Sequence, residues 1–246
     1  MRILTYNICR GGVGREGHLA AVIRATNPDL VVLQEATSQE AVARIAEGAG
    51  LAHYASAAGR SLAFMSRTPI AHHEWHKPRL SRHAFLEIVP ADDRLRLFGV
   101  HLSAVHAAWT EQRRVVELRA LLASIARHQH GFHLLLGDFN TLAPDEVLDV
   151  RLLPPRLRPF VWLSGGRIRW RTIRRILKSG YADGYRVLHR DVAGFTFPTR
   201  NPHLRLDFVF VSSGFTARLQ SCEVVTSADA KLASDHFPLL VDVAGT

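Results

Sequence analysis

The sequence predicts one α/β domain in which mixed β-sheets are covered by helices, and three observations carry that prediction. Runs of β-branched and apolar residues recur from one end of the chain to the other, and segments with apolar residues at helical spacing lie between them. No repeat or low-complexity linker divides the 246 residues. A length prior of roughly 100–200 residues per domain tolerates two units, but a single domain over 1–246 is expected, with a basic insert at about 151–180.

The opening reads as βαβ: Arg2 to Ile8 and Leu30 to Leu33 are β-rich, and Glu16 to Ala25 between them has helical periodicity. Ser61 to Ser66, Ala84 to Val89 and Leu95 to Leu102 are short apolar runs punctuated by Pro, Asp and Arg, which favours hairpin-like strands. A helix is predicted from Thr110 as N-cap, with Glu111 in its first turn; Val115, Leu118, Leu122 and Ile125 share one face before His128 closes it. A buried strand follows at Phe132 to Leu136, and later strands are expected at Leu206 to Val211, Ala217 to Val225 and Leu239 to Val243.

Composition narrows the function classes. No apolar run approaches the roughly 18 residues that cross a bilayer, so an integral membrane protein is excluded. The first seven residues, Met1 to Asn7, read directly as a strand without signal-peptide features, so a cytoplasmic location is expected. Cys9 and Cys222 lie far apart and at no metal-ligand spacing, which indicates two buried thiols, not a disulfide or zinc site. A net charge of +9 implies attraction to polyanions: nucleic acid, anionic lipid head groups or phosphorylated small molecules.

Candidate chemistry collects at strand ends. Asn7 ends the first strand, Gln34-Glu35 the second and His101 a middle one; Asp138 and Asn140 follow Phe132 to Leu136. Asp207 lies in the strand Arg205 to Val211, and Asp235-His236 precedes the last strand. Such residues converge when their strands share a sheet. They suit phosphate ester hydrolysis: in-line attack at phosphorus needs a hard cation such as Mg²⁺ (or Mn²⁺), for which Glu35 is the best ligand candidate. A water nucleophile needs a base, offered by His236 with Asp207 or by Asp138. Asn140, Asn7 and His101 are donors suited to the developing charge.

Six ordered motifs carry a resemblance: Thr5-Tyr6-Asn7-Ile8, Leu33-Gln34-Glu35, Val100-His101-Leu102, Gly137-Asp138-Phe139-Asn140, Arg205-Leu206-Asp207-Phe208 and Ser234-Asp235-His236-Phe237-Pro238. Together they resemble the endonuclease/exonuclease/phosphatase superfamily across nearly the entire chain. The resemblance implies a four-layered α/β sandwich, two mixed β-sheets packed together and flanked by helices. It implies Glu35 as principal metal ligand with Asn7 and Asp235 beside the metal, and His236 paired with Asp207 as base or phosphate contact. Asp138 and Asn140 would hold the attacking water and transition state, and His101 the phosphate or leaving group; whether His236 or Asp138 takes the proton stays open. Ala182 to Arg186 and Phe195 to Pro198 are further family-like stretches. Cys9 stands where the abasic-site repair branch carries Asp, and Arg205 to Val209 lacks the Cys-Asp-Arg signature of inositol polyphosphate 5-phosphatases. Both branches are thereby disfavoured.

From Arg151 to Gly180 there are nine Lys or Arg residues and no acid, with Arg167, Arg169, Arg171, Arg174 and Arg175 the candidate substrate contacts. Trp170, Ile173 and Leu177 fall on one helical face, so an amphipathic basic helix is predicted. It fits a nucleic-acid groove, an interfacial helix on anionic lipid, or a solvated helix covering the core; nucleic acid is favoured because Arg contacts phosphate bidentately. His72, His73, His76 and His83 are read as surface residues. The expected function is therefore a metal-dependent phosphodiesterase or nuclease, against a phospholipid or small-molecule phosphoesterase and a non-catalytic basic adaptor. The adaptor has no need of the full acid–base set, and a metal-free nucleophilic hydrolase lacks its Gly-x-Ser-x-Gly elbow.

Overall fold

The computed structural model describes residues 1–245 except 80, 82, 92–94, 104–107, 129–130, 145, 147–148, 153–154, 156–157 and 160–170. Strand β1 (Arg2–Asn7), helix α1 (Glu16–Thr26), β2 (Leu30–Gln34), α2 (Gln39–Ala49), β3 (His53–Ser56) and β4 (Leu62–Ser66) open the chain. Then come β5 (Ile70–His76), β6 (Phe85–Pro90), β7 (Arg96–His101), α3 (Ala108–His128) and β8 (His133–Asp138). The last part holds α4 (Arg171–Lys178), β9 (Tyr181–Asp183), α5 (Gly184–Leu188), β10 (Asp207–Ser212), β11 (Leu219–Val224), α6 (Ala228–Ala233) and β12 (Leu239–Val243).

Two six-stranded sheets result, ordered β11-β12-β1-β2-β4-β3 and β5-β6-β7-β8-β10-β9. Each is mixed, with one parallel pair, β1–β2 in the first and β7–β8 in the second. Successive side chains of a strand face opposite ways, and both faces are buried. In β2, Leu30 and Val32 enter the core between the sheets while Val31 and Leu33 pack under α1 and α2. In β10, Val209 and Val211 join that same central core while Phe208 and Phe210 meet α3 and α4. The layers are thus helices, sheet, sheet and helices, which is the four-layered sandwich that the motifs implied.

Helix ends follow local chemistry. Ser38 caps α2 by accepting the Ala41 N–H, and Gly50 ends it in the left-handed conformation. Helix α3 starts at Ala108, two residues before the predicted cap, so Thr110 lies in its first turn. Asp207 is the first residue of β10 and is not inside a longer strand. In α4, Ile173 and Ile176 point inward and Leu177 outward, which corrects the predicted apolar face; Trp170 lies outside the described residues. Burying those two isoleucines is worth about 3–6 kcal/mol, enough to fix which way the helix faces. Among the described residues no helix is long and apolar enough to cross a membrane.

Both parallel pairs end at the same edge of the sandwich. Register sets Asn7 beside Gln34 in one sheet, and His101, Asp138 and Asp207 side by side in the other. Gly137, one residue before Asp138, has φ 140°, and a Cβ there would overlap the Val100 carbonyl oxygen. Gly137→Ala is expected to lower unfolding stability by about 2–5 kcal/mol, from backbone strain and overpacking together. Urea unfolding checks this.

Candidate active site

The edge common to both sheets brings together Asn7, Glu35, His101, Asp138, Asn140, Asp207 and His236. His236 Nδ1–H donates to Asp207 Oδ2 at 2.8 Å. Asp138 accepts from Asn7 Nδ2 at 3.0 Å, from the Asn140 backbone N–H at 2.8 Å and from Asn140 Nδ2 at 3.0 Å. Asn140 Nδ2 also donates to the Leu102 carbonyl at 3.0 Å, tying the loop after β8 to the end of β7. His101 Nε2 lies 3.9 Å from Asp138 Oδ2, and its Nδ1 is 3.2 Å from Ser61 Oγ.

Glu35 sits at the rim. Its Oε2 accepts the Arg10 N–H at 2.6 Å, and its Oε1 accepts from Asn7 Nδ2 at 3.3 Å. Asn7 Oδ1 accepts the Cys9 N–H at 2.9 Å. This cradle needs unusual backbone: Cys9, Arg10, Glu35 and Asn140 have φ of 51°, 50°, 57° and 51°. Non-glycine residues there cost of order 1–3 kcal/mol each and persist where the surroundings hold them. Asp235 is exposed, and its carboxylate bonds the half-buried Cys9 thiol. The expectation of two buried thiols therefore holds for Cys222 and not for Cys9.

Burial sets the protonation states. It pushes Asp138 up to about 7, with the Asp207 charge adding to the rise and His236 opposing it. For His236, burial disfavours the charged ring, but the charge and hydrogen bond of Asp207 overcome it and raise the imidazole to about 10. His101 goes the other way: burial, then the neighbouring His83, lowers it to about 4. At neutral pH the site holds an imidazolium paired with Asp207, a neutral His101, and Asp138 close to its midpoint.

Two groupings present themselves as cation sites. Asp138, Asp207 and His236 have ligand atoms within 4.8 Å of one another. Yet His236 is spent on Asp207, and Asp138 on two asparagines, so that trio is built for holding and moving a proton. Glu35, Asn7 and Asp235 supply hard oxygens at the rim, the donor type Mg²⁺ takes while keeping waters. Four carboxyl groups (Glu35, Asp138, Asp207, Asp235) meet the His236 imidazolium, with the Arg15 guanidinium on the Cys9 carbonyl and Arg114 acting on Asp138 from behind, and Glu35 and Asp235 both act electrostatically on Cys9. The hard oxygen donors of Glu35, Asn7 and Asp235 at the rim are the set a divalent cation fits.

Other placements differ from expectation. Arg171, Arg174 and Arg175 line a groove between α3 and α4, apart from this cluster, and Arg167 and Arg169 lie outside the described residues. His76 is buried against Glu87, and the His83 ring sits 5.4 Å from that of His101, so neither is a plain surface residue. Supporting residues went unassigned in the sequence. Thr196 Oγ1 accepts the Leu206 and Asp207 N–H groups, and Phe197 packs its ring 4.7 Å from His236. Ser234 Oγ donates to the Asn7 carbonyl at 2.6 Å. Arg205 is buried and ion-pairs with Glu146 and Asp183, each at 2.7 Å. Arg205 and Ser234 fell inside the quoted motifs and Thr196 and Phe197 inside the family-like stretch Phe195 to Pro198, but none was given a role.

A model of the Endonuclease/Exonuclease/phosphatase family matches residues 4–236. No curated protein matches the sequence. Solved structures share the fold: a 3′ phosphatase from Neisseria bound to a product DNA hairpin aligns with a TM-score of 0.75 at 21% identity, covering 99% of each chain. A 3′–5′ exonuclease from Neisseria meningitidis gives 0.75 at 23%, again over 99% of both chains. An AP endonuclease from Archaeoglobus fulgidus gives 0.75 at 17%, with the same 99% coverage of each.

The His236–Asp207 pair has a direct spectroscopic test. In Asp207→Asn the imidazole is expected to titrate well below about 10, toward its ordinary 6.5, as followed by NMR; an unchanged titration would contradict the assigned cause.

Proposed function

The chain belongs to the Endonuclease/Exonuclease/phosphatase family, and from that premise we propose that it hydrolyses phosphodiesters of nucleic acid by in-line attack of water, dependent on Mg²⁺ or Mn²⁺. One observation carries the reading: a buried His236–Asp207 pair beside an Asp138 whose carboxyl is held by two asparagine side chains. Members of the family are phosphoesterases and typically use divalent metals.

Glu35, Asn7 and Asp235 would hold the cation. Bound there, it would neutralise the non-bridging oxygens of the phosphate. The remaining work falls to the chain's own groups. Asp138, raised to about 7 by burial, takes the proton of the attacking water. His236 already carries its proton at neutral pH, which makes it the poorer base; with Nδ1 committed to Asp207, it offers Nε2–H to a phosphate oxygen. Asn140 keeps Asp138 oriented through two hydrogen bonds. His101, neutral through burial, is a donor for the leaving oxygen.

Nucleic acid is the proposed substrate on two grounds. A net charge of +9 draws polyanions, and the structural relatives named above include an enzyme bound to a DNA hairpin.

Turnover of a generic phosphodiester, a generic phosphomonoester and supercoiled plasmid, each with Mg²⁺, Mn²⁺ or EDTA, tests the reading. Cleavage of the diester and the plasmid that EDTA abolishes is expected; cleavage undiminished by EDTA, or none of any substrate, overturns it. Asp138→Asn and His236→Ala are each expected to lose about 10²–10⁴ in kcat while keeping a folded circular dichroism spectrum; His236→Ala, which leaves Asp207 buried and unpaired, is expected to lower the unfolding midpoint as well. Glu35→Gln is expected to raise the Mg²⁺ concentration for half-maximal rate.

A further inference from the structure

Helices α3 and α4 enclose a groove of about 630 Å³ whose lining includes none of the catalytic carboxylates. Arg119 from α3 and Arg171, Arg174, Arg175 and Lys178 from α4 line it, and all five are exposed. None of them pairs with an acid among the described residues. Their neighbours offer none either, since residues 151–180 contain no Asp or Glu. The two acids of α3 nearest in sequence, Glu111 and Glu117, are buried and turned to other partners: Glu111 holds Thr172, Thr141 and Arg114, and Glu117 holds Ser103. Five uncompensated cations around a concave surface repel one another, and an anion that threads between them relieves that repulsion.

We propose that this groove is an exosite for the phosphate backbone of a nucleic-acid strand, holding the strand outside the phosphodiester that is cut. The inference rests on the nucleic-acid reading of the active site for what becomes of the strand. Three features select a strand over a membrane surface. An interfacial helix needs a continuous free apolar face, and α4 has none: Ile173 and Ile176 are fully buried beneath it, and Leu177 is its one exposed apolar side chain. The cations line the walls of a trough, where successive phosphates are reached from both sides. Four of the five are arginines, whose planar fork matches phosphate oxygens bidentately.

The groove is also wired to the catalytic loop. Glu111 Oε1 accepts the backbone N–H of Thr172 at 2.7 Å and its hydroxyl at 2.9 Å, while Glu111 Oε2 accepts the hydroxyl of Thr141 at 3.1 Å. Thr141 directly follows Asn140, which orients Asp138. One buried carboxylate thus clamps the start of α4 to the loop that carries the site, which fixes the groove relative to the catalytic residues.

Binding is read with the 246-residue chain in EDTA, where no bond is cut, so loss of affinity here and absence of turnover in the preceding assay are separate results. The probes are a fluorescent single-stranded oligonucleotide, its duplex, and vesicles of phosphatidylcholine with phosphatidylglycerol, at ~50 to ~200 mM salt. For Arg174→Gln/Arg175→Gln, oligonucleotide affinity is expected to fall on the order of tenfold or more, and the slope of log affinity against log salt to shrink by about 1.4 for a single strand or about 1.8 for a duplex. Arg119→Gln, on the opposite wall, is expected to shrink it by about half as much. Arg2→Gln/Arg24→Gln, with the same loss of charge far from the groove, is expected to bind as wild type. Wild-type affinity and slope in the groove variants overturn the proposal. So does an equal loss in the Arg2/Arg24 control, or a loss of vesicle binding that matches or exceeds the loss for the oligonucleotide.

Discussion

Two hydrogen bonds cross from one sheet to the other, and the site depends on them. His236, just before β12 in the first sheet, meets Asp207, which opens β10 in the second; Asn7, ending β1, meets Asp138, ending β8. Each joins groups that burial alone would neutralise or leave unpaired. Removing one partner of a buried charged pair costs about 3–5 kcal/mol, so the sheets must pack at the separation that satisfies both. The apolar core between them, with Val32, Leu134, Leu136, Val209 and Val241, sets that separation. Packing and protonation are in this sense one problem: the core places the pairs, and the pairs decide which site group is charged at neutral pH.

The same dependence explains the strained backbone. Left-handed Glu35 and Asn140 would relax if isolated, and each is held by a hydrogen bond to a neighbouring segment, Glu35 accepting from Arg10 and Asn140 donating to the Leu102 carbonyl. Arg10 and Cys9 turn their own N–H groups onto Glu35 and Asn7, which directs those side chains to the rim where a cation fits. Strain here is a consequence of aiming several side chains at one point.

Much of this was legible in the sequence because strand-end chemistry interrupts apolar runs. Gln34-Glu35, Gly137-Asp138 and Asp235-His236 each break a hydrophobic pattern, and that break marks both the strand boundary and the residue. The strand content of β1, β2, β8 and β12 followed from the same apolar runs, whereas the layer order came from the resemblance that the six motifs carry. Edge strand β5 was not legible, because His72, His73 and Glu74 are exposed and carry no alternation. Thr196 and Ser234 were hidden for a different reason: their partners are backbone atoms of segments distant in sequence, Asp207 and Asn7, and short polar residues in loops look alike until the loops are placed. The facing of α4 was misjudged because Ile176, three residues after Ile173, shares its buried face, while Leu177 turns outward.

The central claim is that Asp138 and His236, from different sheets, act as one unit on one phosphate. A double-mutant cycle in kcat/KM on the preferred phosphodiester, with Asp138→Asn, His236→Ala and the pair, measures this directly. Groups that act together are strongly non-additive, so the double variant is expected to lose little more activity than the worse single one; losses that multiply in full would contradict the account.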